Sequence, residues 1–181
     1  MNIELILKDL GIGGKSGSGV IKSIQFGKAS WDSLSSMNIA INTVDVGKSI
    51  IIVSSGTITT YDSSVDNAST GYLVDSTTIK LERGATTSVS WLEFSWMVIE
   101  FEGVKSKQSG SVGYSSWIDN DGINISTVDR QKSVLFYNFR PTDNATGVSS
   151  LALHTYLDTN SHIQVYPFGA KVFRWELLEF N

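Results

Sequence analysis

The sequence predicts an all-β protein: two tandem, similar antiparallel β-sandwich domains preceded by an N-terminal arm. Three observations carry this. The apolar runs are short and rich in Val, Ile and Thr, the residues that fit a pleated, half-buried surface. No long segment repeats its apolar residues at helical spacing. And the second half of the chain repeats the first in register, down to its closing strand: "WMVIEF" (Trp96 to Phe101) is echoed by "WELLEF" (Trp175 to Phe180).

The repeat is read residue by residue. Lys22-Ser23-x-Gln25-x-Gly27 returns as Lys105-Ser106-x-Gln108-x-Gly110, 83 residues on. Ile39-x-Ile41-x-Thr43-Val44-Asp45 returns as Ile123-x-Ile125-x-Thr127-Val128-Asp129, 84 residues on. Lys48-Ser49, Tyr72-Leu73 and Ile79 return at the same interval, as Lys132-Ser133, Tyr156-Leu157 and Ile163. Trp96 and Glu100-Phe101 return as Trp175 and Glu179-Phe180, only 79 residues on, so the first copy holds about five extra residues near Thr86 to Leu92. The order is kept throughout, the signature of a duplication. The domains are residues 20–102 and 104–181, and a join as short as Glu102-Gly103 predicts a fixed angle between them.

Residues 1–19 have no counterpart. "MNIELILKDL" is apolar at Ile3, Leu5, Ile6, Leu7 and Leu10, and "GIGGKSGSG" after it reads as a flexible linker. The segment either packs on the first copy or forms an arm that docks on another subunit, for example by adding a strand to a sheet edge. The candidate assembly interface is therefore Ile3, Leu5, Ile6, Leu7 and Leu10.

Within the first copy, Val20 to Phe26 is a first strand. Asn38 to Val44 alternates Ile39, Ile41 and Thr43 with polar residues, a half-buried strand. Ile50 to Val53, matched by Val134 to Tyr137, is a continuous apolar run, expected to be buried on both faces. Gly71 to Val74 and Thr78 to Leu81 flank a turn at Asp75-Ser76, and the counterpart turn is Asp158 to Ser161. In the closing strand, alternation puts Trp96, Val98 and Glu100 on one face and Met97, Ile99 and Phe101 on the other. Glu100 and Glu179 are expected to be partly exposed and paired with Lys. Trp96 and Trp175 are expected at equivalent places in two cores.

Composition narrows the function. The net charge is -4, and no Lys/Arg cluster offers the basic stripe that a phosphate backbone needs, so no nucleic-acid partner is expected. With no Cys, disulfides and thiolate metal sites are excluded. No apolar run approaches the roughly 20 residues of a membrane-spanning helix, and the N-terminus lacks the basic-then-apolar pattern of a signal peptide.

Candidate chemistry is sparse. "GIGGKSG" has Asp9 where a phosphate-binding loop needs its first Gly. "DNDG" (Asp119 to Gly122) has Trp117 where a calcium loop needs an acid. His154 and His162 flank one turn and could face each other across a hairpin, but a metal needs a third ligand. No nucleophile-base set has support from spacing, so no enzyme, metal or cofactor is expected. Trp31 beside Asp32, and Trp117 near Asp119, are the candidate ligand-binding set, because an aromatic ring beside a hydrogen-bonding side chain suits a sugar. Trp91, Tyr61 and Tyr114 stand in similar polar settings.

The repeated pattern is Ile/Val-Lys-Ser-x-Gln-x-Gly, then Thr-Val-Asp-x-x-Lys-Ser-apolar, then Trp-x-apolar-apolar-Glu-Phe. It resembles that of small β-sandwich structural proteins of tailed bacteriophages. The resemblance covers both copies but not residues 1–19, and the second copy departs from it in "VKSKQSG" (Val104 to Gly110), which lacks the second Ile. It implies a non-enzymatic tail, fibre, neck or capsid-surface protein, located in the virion and assembled in the bacterial host cytoplasm. Its partners would be other virion proteins and copies of itself. The alternative is a carbohydrate-binding adhesin recognising a host-surface glycan.

Overall fold

The computed structural model describes residues 21–31, 36–58, 69–83, 92–114, 121–141, 153–167 and 171–181. The first copy supplies β1 (Ile21–Trp31), β2 (Ser36–Ala40), β3 (Ser49–Ile58), β4 (Ser69–Asp75), β5 (Thr78–Arg83) and β6 (Leu92–Phe101). The second supplies β7 (Val104–Tyr114), β8 (Asp121–Asn124), β9 (Ser133–Pro141), β10 (Leu153–Thr159), β11 (His162–Pro167) and β12 (Lys171–Phe180). They form four three-stranded antiparallel sheets, ordered β1–β6–β3, β2–β5–β4, β7–β12–β9 and β8–β11–β10. Strand for strand, the second pair of sheets repeats the first. Residues 84–91 join β5 to β6, whereas residues 168–170 suffice between β11 and β12, and this difference is the five-residue drop in the repeat interval.

Each module buries its own core between its two sheets. In the first, Ile51, Phe94 and Val98 meet Ile79, Leu81 and Val44. In the second, Tyr114, Phe173, Trp175 and Leu177 meet Ile163, Val165 and Val128. Trp96 and Trp175 pack at equivalent places in these two cores.

A third core lies between the modules. Ile50, Ile99 and Phe101 from the outer face of β1–β6–β3 pack with Leu178 and Phe180 from the outer face of β7–β12–β9. Phe101 and Phe180 meet edge to face, with ring centroids 5.7 Å apart. Burying a Leu, Ile or Phe side chain contributes roughly 1.5–3 kcal/mol, so five of them hold the modules together by several kcal/mol. The chain turns between the modules at Gly103, whose φ of 70° suits glycine. The Gly103 carbonyl accepts the Asn181 backbone N–H, tying the join to the far end of β12.

The expected strands appear with different ends. β1 runs on to Trp31 and β3 to Ile58, whereas β2 stops at Ala40. The run from Ile50 is buried on both faces only at Ile50 and Ile51. Ile52 is exposed, because β3 lies at the edge of its sheet and the neighbouring module reaches only part of its outer face. The N-terminal segment, with Ile3, Leu5, Ile6, Leu7 and Leu10, lies outside the described residues.

Candidate interaction surfaces

The repeated Lys, Ser, Asp and Glu of the motif converge on one node, and the node is built twice. Glu100 sits on β6, buried on the core face beside Val98. Its carboxylate takes the Lys22 ammonium at 2.8 Å, the Ser23 hydroxyl at 3.2 Å and the Asp45 backbone N–H at 3.2 Å. In the second module Glu179 takes Lys105 at 2.8 Å, Ser106 at 3.0 Å and the Asp129 N–H at 3.1 Å. Burial disfavours the Glu100 charge, but Lys22, the Asp45 amide and Ser23 outweigh it and hold its carboxyl below the ordinary value. Lys105 and the Asp129 amide hold Glu179 below it in the same way. The expectation of partly exposed glutamates is thus corrected: both are buried, and their lysines reach in from the surface.

The rest of the motif is structural. The Gln25 amide clamps both backbone groups of Asn42, accepting at 2.7 Å and donating at 2.9 Å, and Gln108 does the same to Ser126. Asp45 and Asp129 cap single 3-10 turns that lead into β3 and β9. Gly27 lies opposite Trp96 and Gly110 opposite Trp175, and a Cβ on either glycine would come within 2.6 Å and 2.9 Å of the indole.

The joint between modules is polar around its apolar centre. Glu176 on β12 accepts the Ile51 backbone N–H at 3.0 Å and the Lys107 ammonium at 2.7 Å. Lys107 also donates to the Ser49 and Val46 carbonyls. The Asn138 amide meets both backbone groups of Gly71, each at 3.3 Å, as a strand neighbour would. Arg174 pairs with Glu82 at 2.9 Å and lies 4.0 Å from the centre of the Tyr72 ring. Burial opposes ionisation of Glu82, and Arg174 and Lys80 outweigh it and keep its carboxyl below the ordinary value. The second module thereby caps the outward-facing backbone of β3 and β4, the two edge strands on that side of the first. A cleft of about 400 Å³ remains at the joint, with Tyr72, Asn138 and Arg174 in its wall. The sequence reading missed this joint. Its signal is divergence: Lys107, Arg174 and Glu176 stand where the first copy has Ile24, Ser95 and Met97.

Among the described residues, two surfaces carry clusters of exposed apolar or aromatic side chains. On the outer face of β1–β6–β3, Phe26, Met97 and Ile52 form one cross-strand row, with Ile24 in the next. Phe26, Ile24 and Ile52 are exposed. On the face of β8–β11–β10, His154, Tyr156 and Tyr166 form a ring cluster with centroids 5.3–6.4 Å apart. The two histidines do not face each other. Register puts His154 opposite Tyr166 and His162 opposite Thr159, and His162 lies over Gly122, 3.6 Å from the Asp158 carboxylate.

Of the expected ligand-binding residues, Trp31 is the last residue of β1, and Asp32, Trp117 and Asp119 lie outside the described residues. Tyr114, expected in a polar setting, is instead buried in the second core. Among the described residues no three side chains are grouped to hold a metal ion, and no helix is long and apolar enough to cross a membrane. Comparison with protein families, curated proteins and solved structures finds no match to this chain.

Proposed function

We propose that the chain is a non-enzymatic structural component of a bacteriophage virion, part of the tail, fibre, neck or capsid surface. Its partners are other virion proteins and copies of itself, met through residues 1–19 and through exposed sheet faces. One observation carries this reading. The repeated polar residues serve the two carboxylate nodes, backbone clamps and turn caps, while the joint fixes the modules into one rigid body with an apolar sheet face open beside it. Such a body presents surfaces rather than a reaction centre. Immunogold labelling of purified particles tests it. Label at a constant position on the particle is expected, and particles free of the protein would overturn the reading. Deleting residues 1–19 should leave the modules folded and abolish incorporation.

A second reading, a carbohydrate-binding adhesin, is favoured by the His154–Tyr156–Tyr166 cluster, whose rings offer π-faces to the C–H side of a sugar. Glycan-array binding that Tyr156→Ala removes and Tyr156→Phe keeps is its expected result. A flat array with the intact chain sinks it.

A further inference from the structure

The open face of β1–β6–β3 differs from its counterpart in the second module. There, Lys107 and Glu176 are engaged at the joint. In the first module the same positions are Ile24 and Met97, and Ser109 is replaced by Phe26. Ile24 and Ile52 are each 39% exposed and Phe26 is 77% exposed. The patch is no isolated apolar spot. Met97 packs against the interdomain core, and Ile50 and Ile99, one cross-strand row below, are buried in it. Ile21, at the start of β1, packs against the same core.

We propose that Ile3–Leu10 folds back on its own chain and covers the face formed by Ile24, Phe26, Ile52 and Met97. The tether is the first argument. Residues 11–20 connect the segment to Ile21, and five of them are Gly. A Gly-rich stretch of this length has a root-mean-square span of roughly 16–19 Å. Along β1, Ile24 and Phe26 lie about 10–17 Å from Ile21, at roughly 3.4 Å per residue. Span and distance match, the condition under which effective concentration is highest and the chain's own segment outcompetes a second copy's. Chemistry is the second argument. Ile3, Leu5, Ile6, Leu7 and Leu10 make the segment mainly apolar, and Ile24, Phe26, Ile52 and Met97 offer it an uncharged face, with the exposed Lys28–Glu93 pair at the rim. This contact belongs to the free chain, whichever particle the chain later joins.

The chain has no cysteine, so Asn2→Cys places a spin label uniquely. In a ¹⁵N-labelled chain carrying that label, the amide signals of Ile24, Phe26, Ile52 and Met97 are expected to lose most of their intensity. A mixture of spin-labelled unenriched chain with ¹⁵N chain lacking the label should keep them. Phe26→Asp, at an exposed position, should restore the signals while both modules stay folded, with their amide shifts otherwise unchanged. Full intensity in the doubly labelled chain, loss only in the mixture, or loss that persists in Phe26→Asp would each overturn the proposal. The second outcome assigns the face to a neighbouring copy.

Discussion

The Glu176 carboxylate of the second module accepts the backbone N–H of Ile51 in the first at 3.0 Å. That N–H belongs to an edge strand, where an unpaired row of donors invites foreign strands. The same carboxylate neutralises Lys107, which is itself buried. Removing it leaves the Ile51 N–H without its acceptor and the Lys107 ammonium without its counter-charge. Glu176→Ala is therefore expected to cost about 3–5 kcal/mol, the range for breaking a buried pair, read by urea unfolding. Lys107→Ile with Glu176→Met copies the first module's residues and should cost less than Glu176→Ala alone. What remains is the unmet Ile51 N–H, about 1–3 kcal/mol, and the Ser49 and Val46 carbonyls that lose the Lys107 donor. A double variant as damaged as the single would mean that the charge pair is not what matters.

The Gly–Trp pairs make a sharper steric prediction. A Cβ at Gly27 meets the Trp96 ring at 2.6 Å and one at Gly110 meets Trp175 at 2.9 Å. The indoles are packed and cannot swing aside freely, so Gly27→Ala and Gly110→Ala should each destabilise by about 1–3 kcal/mol. Gly113 is the control: it lies on the same strand as Gly110, with nothing within 4 Å of its added Cβ. Gly113→Ala should be neutral or stabilising by up to about 1 kcal/mol. Chemical denaturation of the three variants decides it.

Acid should unfold the chain through its buried and half-buried glutamates. Glu82, Glu100 and Glu179 all have folded pKa values below the ordinary 4.5. A lowered folded pKa means that the unfolded chain binds protons first. The stabilisation from these groups is thus fully present above about pH 4.5 and is lost as pH falls through the folded values. Melting temperature against pH should fall on the acid side. Glu100→Gln should start lower at neutral pH and fall less steeply. An acid limb parallel to that of the unchanged protein would remove Glu100 from the account.

The fold was legible because the repeated residues each serve the same node twice. Lys22, Ser23, Asp45 and Glu100 recur as Lys105, Ser106, Asp129 and Glu179, since a buried carboxylate needs all its partners. Spacing alone placed Glu100 on the face of Trp96 and Val98, but a glutamate was read as a surface residue. Its partners are 55 to 78 residues away in the chain. The joint was illegible for the opposite reason. Lys107, Arg174 and Glu176 are the residues in which the copies differ, and a search for similarity passes over them. The histidines were misplaced because flanking a turn does not fix register. The hairpin turns at Asn160-Ser161, which puts His162 opposite Thr159 and His154 opposite Tyr166.

The account rests most on the two modules forming one rigid body through Glu176, Asn138 and the Phe101–Phe180 core. Backbone residual dipolar couplings measured on the intact chain test this directly. A single alignment tensor should fit β1 to β6 and β7 to β12 together, with the relative orientation found here. Two tensors of different magnitude, one for each module, would show the modules turning independently and would contradict it.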